Sequence, residues 1–140
     1  MDHHHELFAL AMDEARMPGA DYKKHKKLLL QARDAGSGDA CFYLDDYKRG
    51  VELGHAACMA RHAYEEDDEA LAQKVLQLGD TWGLAVLYYE GGAPGVNEDR
   101  QRARPLILEL AEQGNRWAQA RLGTAISGLL EDPEERLVWL

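Results

Sequence analysis

Apolar residues recur at three- and four-residue spacing along most of the chain, and two-residue alternation is almost absent, which predicts helices and no sheet. Leu7, Leu10, Ala11 and Ala15 make a first stripe, broken by Met17-Pro18-Gly19, after which Asp21 is placed to cap a new helix. Leu28, Ala32 and Ala35 make a second, ended by Gly36-Ser37-Gly38. Ala40, Leu44, Tyr47 and Val51 read as one further helix that stops near Gly54. Ala56, Ala60 and Ala63 follow, and the run Glu65-Glu66-Asp67-Asp68-Glu69 separates them from Leu71, Val75 and Leu78.

Gly79-Asp80 is the next break, before Leu84, Leu87 and Tyr88. Gly91 to Gly95, with Pro94, is the loosest loop. Ala103, Leu106, Ile107, Leu110 and Ala111 then give the cleanest amphipathic helix, ended by Gly114-Asn115, and Ala118, Leu122, Ala125 and Leu129 continue the series. Asp132-Pro133-Glu134-Glu135 has the order of a cap, a first-turn proline and first-turn acids, so a short terminal helix carrying Leu137 and Trp139 is expected. The pattern predicts eight or nine helices of about 10–15 residues, with short turns that make sequential helices antiparallel. Pro105 lies inside the best of them, where a proline costs about 3 kcal/mol; it predicts a kink, or a helix that starts later than its charges suggest.

Glycine recurs as punctuation at Gly36, Gly54, Gly79 and Gly114, each after a helical stripe, which is how a stack of repeated units reads. Tyr47 to Gly54, running into His55-Ala56-Ala57-Cys58, overlays Leu108 to Gly114, running into Asn115-Arg116-Trp117-Ala118. Gly95-Val96, Asp99, Ala103, Ala111-Glu112-Gln113-Gly114-Asn115, Ala118 and Leu122-Gly123 fall in one register. In that register residues 95–123 resemble the Sel1-like repeat family, relatives of the tetratricopeptide repeats. Residues 22–92 follow the pattern divergently, without the glycine-valine loop between Gly54 and Gly79. The resemblance implies an all-α fold, a short α-solenoid of stacked antiparallel helical hairpins. Residues 1–140 would form a single domain of such repeats, with 1–17 and 130–140 as capping segments. It also gives Gly114 a left-handed helix end, Asn115 the next cap, and Ala118 and Gly123 the close approach of neighbouring helices.

Charge narrows the partner. Lys and Arg number 16 against 25 Asp and Glu, a net −9, which repels phosphate backbones and anionic lipid and favours a basic protein. Nucleic acid is excluded as an expected partner, and with no apolar run of about 18 residues a membrane is too. The first residues carry acids and His3-His4-His5 in place of a signal peptide's basic start and apolar run, so a cytoplasmic location is expected. The His triplet is assigned no function.

Candidate chemistry is sparse. His55, Cys58 and His62 are spaced to share one helix face, as a metal site requires, but a closed zinc site needs a fourth ligand and only Cys41 offers itself. The competing reading puts Cys58 at a small-residue position of the repeat with histidines flanking it, and no metal is expected. Ser37, Ser127, Thr81 and Thr124 fit no nucleophile elbow, and the glycines from Gly91 to Gly95 lack a following Lys-Ser or Lys-Thr. No enzyme activity and no cofactor are expected. Lys23-Lys24-His25-Lys26-Lys27 reads as a solvated helix face.

Partner binding is assigned to Glu65, Glu66, Asp67, Asp68 and Glu69 as an acidic patch, although helix capping explains the same run. Tyr47, Trp82 and Tyr89 are the candidate groove anchors. Sel1-like proteins generally serve as adaptors and scaffolds, and some bacterial ones neutralise secreted toxins. The resemblance and the acidity together imply a protein-binding module, in the sharpest form an immunity protein that occludes a basic toxin or effector. An adaptor in a signalling or secretion complex is the alternative within that class. A metal-binding or thiol-active protein using His55, Cys58 and His62 is the alternative outside it.

Overall fold

The computed structural model describes residues 3–16, 21–91 and 97–124. Within them the chain is all-helical: α1 (His4–Arg16), α2 (Tyr22–Asp34), α3 (Gly38–Tyr43), α4 (Tyr47–Glu52), α5 (Ala56–Glu66), α6 (Glu69–Leu78), α7 (Thr81–Glu90), α8 (Arg100–Glu112) and α9 (Arg116–Gly123), with no strand among them. Each helix packs on the next in sequence, and α5 also touches α3 and α7.

The starts of these helices are written in aspartate. Asp21, Asp46, Asp68, Asp80 and Asp99 are N-caps whose carboxylates accept backbone N–H groups of the first turn, and Ser37 and Asn115 do the same for α3 and α9. Part of the chain's negative charge is therefore committed to capping. At the other ends, Gly79 and Gly114 adopt φ of 67° and 92°, the left-handed region in which a Cβ is costly. Asn115 Oδ1 then accepts the Ala118 N–H at 2.9 Å and caps α9.

The third apolar stripe is two helices and not one. Asp45 turns left-handed at φ 58°, and Asp46 caps a new start by accepting the Arg49 N–H at 3.3 Å, so α3 and α4 are short and set at a corner. Aspartate tolerates the left-handed conformation and caps well, and the two properties side by side outweigh the continuous apolar spacing. At Pro105 the helix does not start late: α8 begins at Arg100, capped by Asp99, and runs through the proline. Pro105 and Gln101 are both exposed, so the carbonyl that loses its partner is left to solvent.

Helix α7 is apolar around its circumference, with Gly83, Ala85, Val86, Leu87, Tyr88 and Tyr89 all buried, and it lies between α5, α6 and α8 at the centre of the larger core. Val75, Val86, Ile107 and Leu122 fill that core, with alanines between them. A second apolar cluster joins α1, α2 and α3 through Ala11, Met12, Leu29, Ala32 and Ala40, and Tyr43 packs against both clusters. Two contacts set how closely helices approach α5. Gly50 of α4 lies directly against the side chain of Cys58, and a Cβ on Gly83 of α7 would come within 2.7 Å of the Ala56 Cβ.

Ala118 and Gly123, the small residues of α9, are buried. Of the expected capping segments, α1 packs on α2, while residues 1, 2, 17 and 130–140 lie outside the described residues. So do the Met17-Pro18-Gly19 break, residues 92–95 of the loose loop, Gly95-Val96 of the repeat register, Ala125, Leu129, and the terminal helix expected to carry Leu137 and Trp139.

Candidate functional site

An open groove of about 420 Å³ runs along one face, with walls from α1, α2, α3, α4, α5, α7 and α9. Its aromatic surface is Phe42, Tyr43, Tyr47 and Trp117. Phe42 holds this surface together, meeting Tyr47 edge-on at 5.7 Å and Trp117 edge-on at 6.3 Å between ring centroids. The Tyr43 phenolic oxygen accepts the Trp117 backbone N–H at 3.0 Å, joining α3 to the start of α9 across the groove floor. Burial pushes the Tyr43 phenol up to about 12.

The charged surface is Arg61, Arg116 and Arg121, facing Asp45 and Glu90. Both acids are engaged. Asp45 accepts the Tyr47 hydroxyl at 2.7 Å, and Glu90 lies 2.7 Å from Arg61 Nη1. Burial, with that bond to Asp45, raises the Tyr47 phenol to about 12. Burial alone would lower the Arg61 pKa, but Glu90, with Tyr47 and Glu65, more than offsets it, and the net direction is upward. The Arg61 guanidinium also lies 5.4 Å from the Tyr47 ring centroid. Arg116 Nη1 and Arg121 Nε are buried from solvent with no hydrogen-bond acceptor among the described residues.

The predicted anchors are distributed unevenly. Tyr47 lines the groove but is buried at 7% exposure, so it is wall and not projecting anchor. Trp82 is absent from this groove and lines a smaller recess of about 160 Å³ with Phe8, Tyr43 and Arg116. Tyr89 is buried behind Trp117, their ring centroids 5.8 Å apart, and lines neither pocket; its apolar body was needed for packing. Tyr47 and Tyr89 are thus buried and Trp82 is half-buried.

Glu65, Glu66, Asp67, Asp68 and Glu69 are all exposed at the corner between α5 and α6, and none lines the groove. Two of them shape that corner. Asp67 is left-handed at φ 51°, and Asp68 accepts the Leu71 N–H at 3.0 Å. The basic cluster near residue 25 is solvated except for His25, whose Nδ1–H donates to the Ala11 carbonyl at 2.6 Å and whose ring lines the groove.

His55, Cys58 and His62 do not form one helix face. His55 is the N-cap of α5, just outside the helix, and both its nitrogens are used: Nδ1 accepts the Cys58 N–H at 3.3 Å and Nε2–H donates to Asp39 at 2.7 Å. Cys58 and Cys41 are free, buried thiols. Burial, reinforced by the neighbouring Cys41, raises the Cys58 pKa, which is the reverse of an activated thiolate. Among the described residues no cluster of His, Cys, Asp and Glu is arranged to hold a metal ion.

Phe42, Arg61, Arg116 and Arg121 are among the groove residues that sequence reasoning did not single out. The available signal was three arginines in otherwise small or apolar helical segments, Met59-Ala60-Arg61 and Arg116-Trp117-Ala118 to Arg121-Leu122-Gly123. Protein-family models, curated proteins and solved structures, each searched with this chain, give no match.

Proposed function

We propose that the chain is a short α-solenoid of Sel1-like helical hairpins that binds a segment of a partner protein in the groove between α3, α5 and α9. The observation that carries this reading is the groove itself: an open cleft with a rigid aromatic wall and arginines on one molecule. Aromatic and arginine side chains are the usual centres of protein-binding energy. No helix among the described residues is long and apolar enough to cross a membrane, and a cytoplasmic site of action is part of the proposal.

In its sharpest form the partner is a toxin or effector whose activity is blocked by occlusion. The net charge of −9 and the exposed Glu65–Glu69 corner would speed encounter with a basic partner, leaving retention to the groove. An adaptor role uses the same surface and differs only in what the partner does. The buried, protonated Cys58 thiol and the fully engaged His55 lend nothing to thiol or metal chemistry.

Ala120 lines the groove and its side chain is exposed, so Ala120→Tyr would fill the cleft without touching the core. A partner captured by the wild-type chain should be lost by this variant at unchanged melting temperature. A partner retained by it binds elsewhere, and the groove reading then falls. Growth rescued by co-expressing the chain with its captured partner would select immunity over adaptor.

A further inference from the structure

We propose that the recess beside the groove is a tyrosine pocket, which takes the phenol of one tyrosine side chain from the partner segment. The rest of that segment lies in the groove, so the pocket depends on the groove reading and adds to it one required side chain.

The recess and the groove share Met12, Tyr43 and Arg116 as lining, so a segment in the groove runs within reach of the recess by a single side chain. The recess has a volume of about 160 Å³, close to the roughly 150 Å³ of an apolar cavity that accepts a benzene ring. Phe8, Tyr43 and Trp82 give it aromatic surface, with Phe8 stacked on Tyr43 at 5.8 Å between centroids and Tyr43 6.0 Å from Trp82. A further ring packs well on such a surface, whereas an aliphatic side chain of the same reach would cover less of it.

Charge then decides what the ring carries. Asp39 and Arg116 both line the recess, so an anion meets the carboxylate, a cation meets the guanidinium, and a neutral guest meets neither penalty. Asp39 Oδ1 accepts the His55 Nε2–H at 2.7 Å, and the second oxygen of Asp39 has no donor among the described residues. The Trp82 indole Nε1–H is shielded from solvent and has no acceptor among them. A hydroxyl answers both groups, because it donates its proton to the carboxylate and accepts the indole N–H. The bare ring of a phenylalanine answers neither. A site furnished with hydrogen-bonding groups in this way rejects the analogue that lacks the hydroxyl.

The test uses the full chain and four ring probes of similar size: p-cresol, toluene, benzylammonium and benzoate. They stand for a phenol, a bare ring, a cation and an anion. Titration calorimetry gives the affinities, and the indole N–H signals in NMR spectra locate the probe, with the Trp82 signal assigned through Trp82→Phe. p-Cresol should shift the Trp82 signal and bind about ten- to a hundred-fold more tightly than each other probe, the range for a hydrogen bond to a charged group. Trp82→Phe and Asp39→Asn should each cut the preference for p-cresol over toluene. Phenylalanine keeps a ring against Phe42 and asparagine keeps an acceptor for His55, so each change spares the packing around it. Equal affinity for p-cresol and toluene, no binding of p-cresol, tighter binding of either ion, or a preference unchanged in both variants overturns the pocket. Ala120 lines the groove and not the recess, so Ala120→Tyr should leave p-cresol binding intact. Loss of p-cresol from that variant would put the probe in the groove and overturn the pocket. p-Cresol retained by Ala120→Tyr together with a partner still captured keeps the phenol site and removes the groove reading.

Discussion

The phenolic oxygen of Tyr43 accepts the backbone N–H of Trp117 at 3.0 Å across a separation of 74 residues, so a side chain of α3 completes the first turn of α9. Helix starts leave N–H groups without intrahelical partners, and here the acceptor comes from a helix far away in the sequence. Tyr43→Phe keeps the ring and removes the acceptor. It should cost about 1–3 kcal/mol, read as a lower denaturant midpoint at unchanged slope. An unchanged midpoint would mean that water replaces the phenol without loss.

Alkaline unfolding should report the same residues. Tyr43 and Tyr47 have folded pKa values raised to about 12 from the ordinary 10. A phenol with a raised folded pKa holds its proton more tightly when folded. Its stabilisation is whole below pH 10 and is lost as pH climbs through 12. Phenolate absorbance from these two should therefore grow in with loss of helical circular dichroism. Tyr43→Phe, Tyr47→Phe double variants should lose that coupling.

Two glycines should fail for different reasons. Gly114 has open space where a Cβ would go but sits at φ 92°, so Gly114→Val should cost about 1 kcal/mol or more through the backbone alone. Gly50 lies against Cys58, so Gly50→Ala should cost about 1–3 kcal/mol by overpacking. Cys58→Ala in the same chain should recover part of that loss and none of the loss at Gly114. Thermal or urea denaturation of the three single variants and of Cys58→Ala combined with each glycine change decides it.

The core admits a simpler check. Leu110 is 7% exposed, within the apolar face of α8, and Leu110→Ala should cost about 2–5 kcal/mol in the same denaturation assay.

Neutralising the α5–α6 corner tests electrostatic steering, provided its capping role is preserved. Asp68 is an N-cap and Asp67 is left-handed, so both should be changed to Asn, with Glu65, Glu66 and Glu69 changed to Gln. Stability should then move little. Association with a basic partner should slow more than dissociation speeds up, and the difference should shrink as salt rises, since screening acts over about 8 Å at physiological ionic strength. Unaltered association rates would take charge out of the recognition.

The helices were legible because their boundaries are chemical: Gly79 and Gly114 end one helix each, and Asp21, Asp80 and Asn115 begin others. The α3–α4 corner was not, because the spacing from Ala40 to Val51 stays apolar across a break made by Asp45 and Asp46. The groove was legible only as an expectation of aromatic anchors. Tyr47, Tyr89 and Trp117 look alike in sequence, and which lines the cleft depends on packing between helices far apart in the chain. Arginines were overlooked because an acidic total conceals a local cationic surface.

Gly50 and Gly83 carry no side chain, yet they meter the distance of α4 and α7 from the first turn of α5, while Arg61 further along α5 reaches Glu90 on the groove side. The aperture of the cleft is thereby calibrated from behind, by absent methyl groups. Alanine at either position should press α4 or α7 away from α5 without altering a residue that lines the groove. On the proposed reading of the groove, the fit of an occupant would depend on residues that no footprint of the bound complex would reveal.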